Sequence, residues 1–148
     1  MAGGQISIRA LAASLDRPES TIRLWITDGL WVKVGERCTE ADAIEAAVAD
    51  YLLRKNLNRD LVRGTMHGIR QQLRKVAPGE SCRVICHPQR HAGALVIGND
   101  EAADAKVGKN ASTGRSVVIF DLEPVIAAMR ADFLGAMDAR SPAEKTGG

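Results

Sequence analysis

Aromatic residues are nearly absent from this chain: two Trp, one Tyr and two Phe in 148 residues, or 3%. A core must therefore be assembled from Ala, Val, Leu and Ile. Cysteine is also scarce. Three thiols, Cys38, Cys82 and Cys86, are an odd number, and no basic-then-apolar leader opens the chain. That combination argues against a disulfide framework and for reduced thiols in the cytoplasm. No apolar run reaches the roughly 18 residues that a membrane-spanning helix needs. The three histidines, His67, His87 and His91, cannot be assembled with an acid and a nucleophile into a catalytic constellation. The composition thus points to a soluble protein that is not an enzyme and needs no cofactor.

What is present is charge with an uneven distribution. The net charge of +2 says little, but residues 1–75 hold 12 Lys/Arg against 9 Asp/Glu, whereas residues 76–148 hold 8 against 9. Arg54, Lys55, Arg59, Arg63, Arg70, Arg74 and Lys75 fall in one stretch opposed only by Asp60. Concentrated positive charge suits attraction to phosphate.

The segment Ser7–Trp31 carries the strongest pattern. Ile8, Leu11, Ala12 and Leu15 recur at helical spacing, which predicts a first short helix. Asp16-Arg17-Pro18-Glu19 interrupts it, with Pro18 suited to the first position of a second helix. Ile22, Trp25 and Ile26 then point inward, and Ser20, Thr21, Arg23 and Thr27 outward. Gly29 closes the helix as a left-handed cap, with Leu30 and Trp31 folding back beyond it. Hydroxyls and a guanidinium on the outer face of a second helix are what reading a DNA groove requires. Val32 to Cys38 alternates around Gly35 and predicts a two-stranded wing whose tip offers Lys33 or Arg37. Thr39 and Asp42 form a capping box opening a helix through Arg54. A fourth helix follows from about Arg59 to Lys75, with Gly64 and Gly68 inside it at a spacing that allows a close approach or a bend.

From about residue 6 to 65 the chain resembles the DNA-binding domain of the mercury-resistance-regulator (MerR) family. The matching residues are Leu11-Ala12, Thr21-Ile22-Arg23-Leu24-Trp25-Ile26, Gly29-Leu30, the wing-and-helix run Glu36 to Asp42, and Asn56-Leu57-Asn58 at the entry to the fourth helix. Glu36 stands where that family's wing arginine is expected, and Cys38 replaces its wing tyrosine. The resemblance implies a winged helix-turn-helix that docks on double-stranded DNA. Ser20, Thr21 and Arg23 would face the groove. Arg17, Trp25, Lys33 and Arg37 would hold the phosphate backbone, and Arg54, Lys55 and Arg59 would extend the footprint. The family dimerises through a long helix after this domain; here Pro78 intervenes, which moves dimerisation to the C-terminal part.

After Pro78-Gly79 the period changes from helical to alternating. Ser81–His87, Ala94–Ile97 and Ser116–Phe120 read as strands, and Gly98–Arg115 as a long polar loop. Gly108-Lys109 within it lacks the preceding glycine and the following Ser/Thr of a phosphate-binding loop. Asp121 caps a last helix with the stripe Val125, Ile126, Met129, Phe133, Leu134 and Met137. Cys82, Cys86, His87 and His91 are the weak metal candidates. Their spacing is not a standard zinc pattern, and Cys82 and Cys86 would stand about 13 Å apart along a strand.

The expected fold is therefore α+β. Residues 1–77 form a winged helix-turn-helix of four helices and a small wing, residues 78–140 a three-stranded sheet with one helix, and residues 141–148 a disordered tail. The expected function is that of a dimeric, sequence-specific, nucleoid-associated transcriptional regulator. Its partners would be double-stranded DNA, a second copy, and RNA polymerase or another protein. Alternatives are a DNA-architectural or packaging factor, such as a recombination directionality factor or phage terminase small subunit, and a ligand- or partner-sensing module with a DNA-binding address.

Overall fold

In the computed structural model, residues 4–98 and 117–147 are described, with side chains through residue 138. The Gly108-Lys109 pair and most of the Gly98–Arg115 loop lie outside the described residues. The architecture is mixed: five helices, a two-stranded sheet and a three-stranded sheet among the described residues.

Strand β1 (Ile6–Ser7) leads directly into α1 (Ile8–Ser14). Ser7 caps the helix, its hydroxyl accepting from Ala10 N at 3.0 Å, and Ile8, Leu11 and Ala12 are buried. Asp16 turns the chain at φ 54°. Pro18 is extended and precedes α2 (Glu19–Thr27) as its N-cap; the sequence placed it one residue further in. Gly29 then takes φ 76°. This left-handed turn lets Leu30 N and Trp31 N both donate to the carbonyl of Trp25, at 2.9 and 3.2 Å. Both following side chains are thereby driven into the core.

The predicted self-paired wing does not form. Strand β2 (Arg37–Cys38) pairs antiparallel with β1, Ile6 opposite Cys38. Val32 and Val34 are 50% and 89% exposed, whereas Ile6 and Cys38 are fully buried. Pairing with β1 buries two apolar side chains that a hairpin made of Val32–Cys38 alone would not.

Helix α3 (Glu40–Arg54) opens on the predicted box: Thr39 Oγ1 accepts from Asp42 N at 3.2 Å and Asp42 Oδ2 from Thr39 N at 3.0 Å. Asn56 adopts φ 61° and Asn58 caps α4 (Arg59–Leu73), accepting from Asp60 N at 2.7 Å. Leu61, Val62, Met66, Ile69 and Leu73 are its buried stripe.

Strands β3 (Cys82–His87), β4 (Ala92–Ile97) and β5 (Val118–Asp121) make an antiparallel sheet in the order β4-β3-β5. Cys82, Val84 and Cys86 face the core. Gly64 and Gly68 are where α4 meets β4. A Cβ at Gly64 would stand 1.6 Å from the His91 carbonyl oxygen, and one at Gly68 2.7 Å from that of Gly93. The close approach expected of these glycines is thus between helix and strand.

Helix α5 (Glu123–Gly147) begins beyond Asp121, whose carboxylate accepts from Glu123 N at 3.1 Å. Ile126, Met129 and Phe133 are buried, while Leu134, expected in the same stripe, is 54% exposed. The helix packs on α3 and α1. Its backbone continues through most of the segment expected to be a disordered tail. One contiguous core results, running from Ile6 in β1 to Phe133 in α5. The strand-bearing part therefore covers its apolar face on the N-terminal helices.

Candidate nucleic-acid interface

Helix α2 is held by its inward face and open on the other. Ile22 and Trp25 are 0% and 1% exposed, and the Gly29 turn ties its end to the scaffold. Ser20, Arg23, Leu24 and Thr27 are exposed and Thr21 is half-buried. These side chains form a short strip of three hydroxyls and one cation, with Leu24, 51% exposed, among them. Arg37, on β2, is exposed as well.

Trp25 was expected at the phosphate backbone and is instead a core residue. An indole at helical spacing from Ile22 shares its inward face, so it cannot reach a ligand outside. Arg17 Cζ lies 5.8 Å from its ring centroid. Lys33 is a second correction. Its side chain is only 4% exposed, folded back with Nζ on the Val34 carbonyl and 3.9 Å from Asp42. No tip amine is offered there.

Several of the basic residues are engaged by carboxylates, some from their own helix and some from other elements. Arg17 Nε and Arg54 Nε donate to the two oxygens of Asp50, at 2.7 and 2.9 Å. Arg54 also donates to the Leu15 carbonyl at 2.9 Å, satisfying an orphan acceptor at the end of α1. Arg59 meets Asp28 at 2.6 Å, and Arg63 donates to the Asp28 carbonyl at 2.9 Å, completing the end of α2 in the same way. Arg74 reaches Asp42 at 3.4 Å and Glu45 at 3.0 Å. Lys55 Nζ lies over the Tyr51 ring, 5.1 Å from its centroid. Arg54, Arg59, Arg63 and Arg74 are thus inter-element ties, two of which cap helix ends. Counting charges along the sequence cannot reveal this, because the partners lie 31 and 39 residues away.

Arg23 is the outward cation of α2, and it too is held. Its NH1 and NH2 donate to Glu36 Oε1 and Oε2 at 3.2 and 3.0 Å, and its Nε donates to Glu19 Oε2 at 2.8 Å. Hydrogen bonding to Glu36 and Glu19 pushes the guanidinium pKa further up, and the same contact pulls the Glu36 carboxyl down.

The four metal candidates do not converge. Cys82 and Cys86 point into the core, and burial pushes the Cys82 thiol up to about 11 and raises that of Cys86. The Thr65 hydroxyl lies 3.8 Å from Cys86 Sγ. No group of three or more His, Cys, Asp or Glu among the described residues could hold a metal ion. Among those residues no helix is long and apolar enough to cross a membrane. Sequence reasoning missed Asp28, Asp50 and Glu36 as partners of the basic residues. Only Glu36 left a sequence signal, standing where the resembled family has an arginine. No protein-family model matches this chain, and no curated protein shows significant similarity to it.

Proposed function

We propose that the chain is a sequence-specific DNA-binding protein in which α1, the Asp16–Pro18 turn and α2 act as a helix-turn-helix. The segment Val32–Cys38 would lie beside it in the position of a wing. The observation that carries the reading is the outer strip of α2. A short helix anchored by Ile22 and Trp25 presents Ser20, Thr21, Arg23 and Thr27 on one accessible face. A helix in the major groove reads bases with such hydroxyls and with a forked guanidinium. Arg37 and Lys55 are the accessible cations best suited to phosphates. Arg17, Arg54 and Arg59 are secondary, since each would first have to share or leave a carboxylate.

Two copies would bind related half-sites as a transcriptional regulator. Among the described residues β4 and β5 are the outer strands of the sheet, and Ile119 and Leu134 are 42% and 54% exposed. These features support pairing through residues 78–140.

The test starts with selection of bound duplexes from a random-sequence pool, followed by titration of the enriched site. Arg23→Ala should weaken that site roughly ten- to hundredfold, and Thr21→Ala less, with the circular-dichroism spectrum unchanged. Sedimentation equilibrium should find twice the chain mass. Equal binding by the Arg23 variant, or no enrichment at all, would refute the reading.

A further inference from the structure

We infer that Glu36 is a specificity-determining residue of this interface, holding Arg23 in reserve until a base edge with two acceptors takes its place. The inference rests on the DNA reading above. A guanidinium has two bidentate faces, one formed by its two terminal nitrogens and one by Nε with a terminal nitrogen. Glu36 spans the terminal pair at 3.2 and 3.0 Å, and Glu19 takes Nε at 2.8 Å. Both forks are therefore occupied. The local group of one guanidinium and two carboxylates carries a net charge of −1, on the face offered to a polyanion.

The consequence differs between sequences. Where the duplex presents guanine O6 and N7, Arg23 can exchange one bidentate partner for another. An exposed ion pair is a weak competitor for that contact. Where the duplex presents no such pair of acceptors, Arg23 stays with its carboxylates and its charge is withheld from the neighbouring phosphates. Glu36 thus penalises wrong sequences more than the right one. This is discrimination by a built-in competitor for the reading side chain. The two carboxylates have different parts. Glu19 is on α2 itself, four residues before Arg23, and helps hold the helix start against the dipole. Glu36 comes from the neighbouring loop and has no comparable local duty, so it can be changed without disturbing the helix.

The experiment is a double-mutant cycle with Glu36→Gln and Arg23→Ala, read on the selected duplex and on a scrambled one over a salt series. Glu36→Gln should raise affinity for the scrambled duplex roughly three- to tenfold and steepen its log affinity versus log salt slope by about one unit. The selected duplex should gain less, so that the ratio between them falls. In the Arg23→Ala background the gain from Glu36→Gln should shrink, because no held cation remains to be released. An equal gain in both backgrounds, or on both duplexes, would overturn the inference. The resonance of the Arg23 terminal N–H groups that Glu36 holds, followed by NMR in the free protein, separates the two levels. If wild type binds no duplex, the DNA reading fails. If that resonance also exchanges as fast as in Glu36→Gln, the reserve itself is refuted.

Discussion

Glu45 is the residue whose chemistry is least settled by its partners. It lies on α3, 1% exposed, beside a void of about 20 Å³ lined also by Trp31, Met66, His67 and Arg70. Arg74 stands 3.0 Å from Oε1, yet neither carboxylate oxygen has a well-formed hydrogen bond. Burial outweighs the nearby arginines and raises its pKa from 4.5 to about 7. A carboxyl whose pKa rises on folding holds its proton longer in the folded chain. Between 4.5 and about 7 the folded state binds more protons than the unfolded one, so stability falls as pH rises through that window. The full penalty, present above the window, is roughly 3 kcal/mol. Glu45→Gln keeps the shape without the charge. It should raise the melting temperature at pH 8 and change it little at pH 5. The same shift at both pH values would mean that another group titrates.

Among the elements, α4 and α5 give the same substitution opposite signs. Glycine inside a helix costs roughly 1 kcal/mol relative to alanine. At Gly135 in α5 nothing lies within 4 Å of an added Cβ, so Gly135→Ala should stabilise by about 0.5–1 kcal/mol. At Gly64 the added Cβ would meet the His91 backbone carbonyl at 1.6 Å. Backbone cannot rotate aside as a side chain can, and overpacking of this kind costs about 1–3 kcal/mol or more. The steric term should win, and Gly64→Ala should lower the denaturant midpoint. A stabilising Gly64→Ala would mean that α4 and β4 stand further apart than this contact requires.

For the whole molecule, the division suggested by the change of period meets a shared core. Both tryptophans, Trp25 and Trp31, lie in the N-terminal helices and their following turn, while Phe133 lies far along α5; all three belong to one buried cluster. Phe133→Ala should cost roughly 3–5 kcal/mol. If folding is one cooperative event, the tryptophan fluorescence transition should move by the same amount as the far-ultraviolet circular dichroism. A fluorescence midpoint that stays in place while the helix signal shifts would divide the chain into two independently stable units.

The amino-acid sequence alone determined what depends on near neighbours. The Thr39–Asp42 box, the Asn58 cap, the Gly29 turn and the buried stripes of α1, α3 and α4 follow from contacts within a few residues, so periodicity and cap chemistry reveal them. It also marked the outer face of α2 and the odd acidic residue at position 36. The tertiary structure alone decided which chemistry stays available. Arg54 and Arg63 look like free cations until the ends of α1 and α2 arrive beside them, and Arg59 until Asp28 does. Lys33 looks like a wing tip until Asp42 and the fold bury it, and Cys38 like part of a self-contained wing until Ile6 pairs with it. Ion pairing and burial depend on distance in space, and in this chain most of the deciding partners are tens of residues apart in sequence.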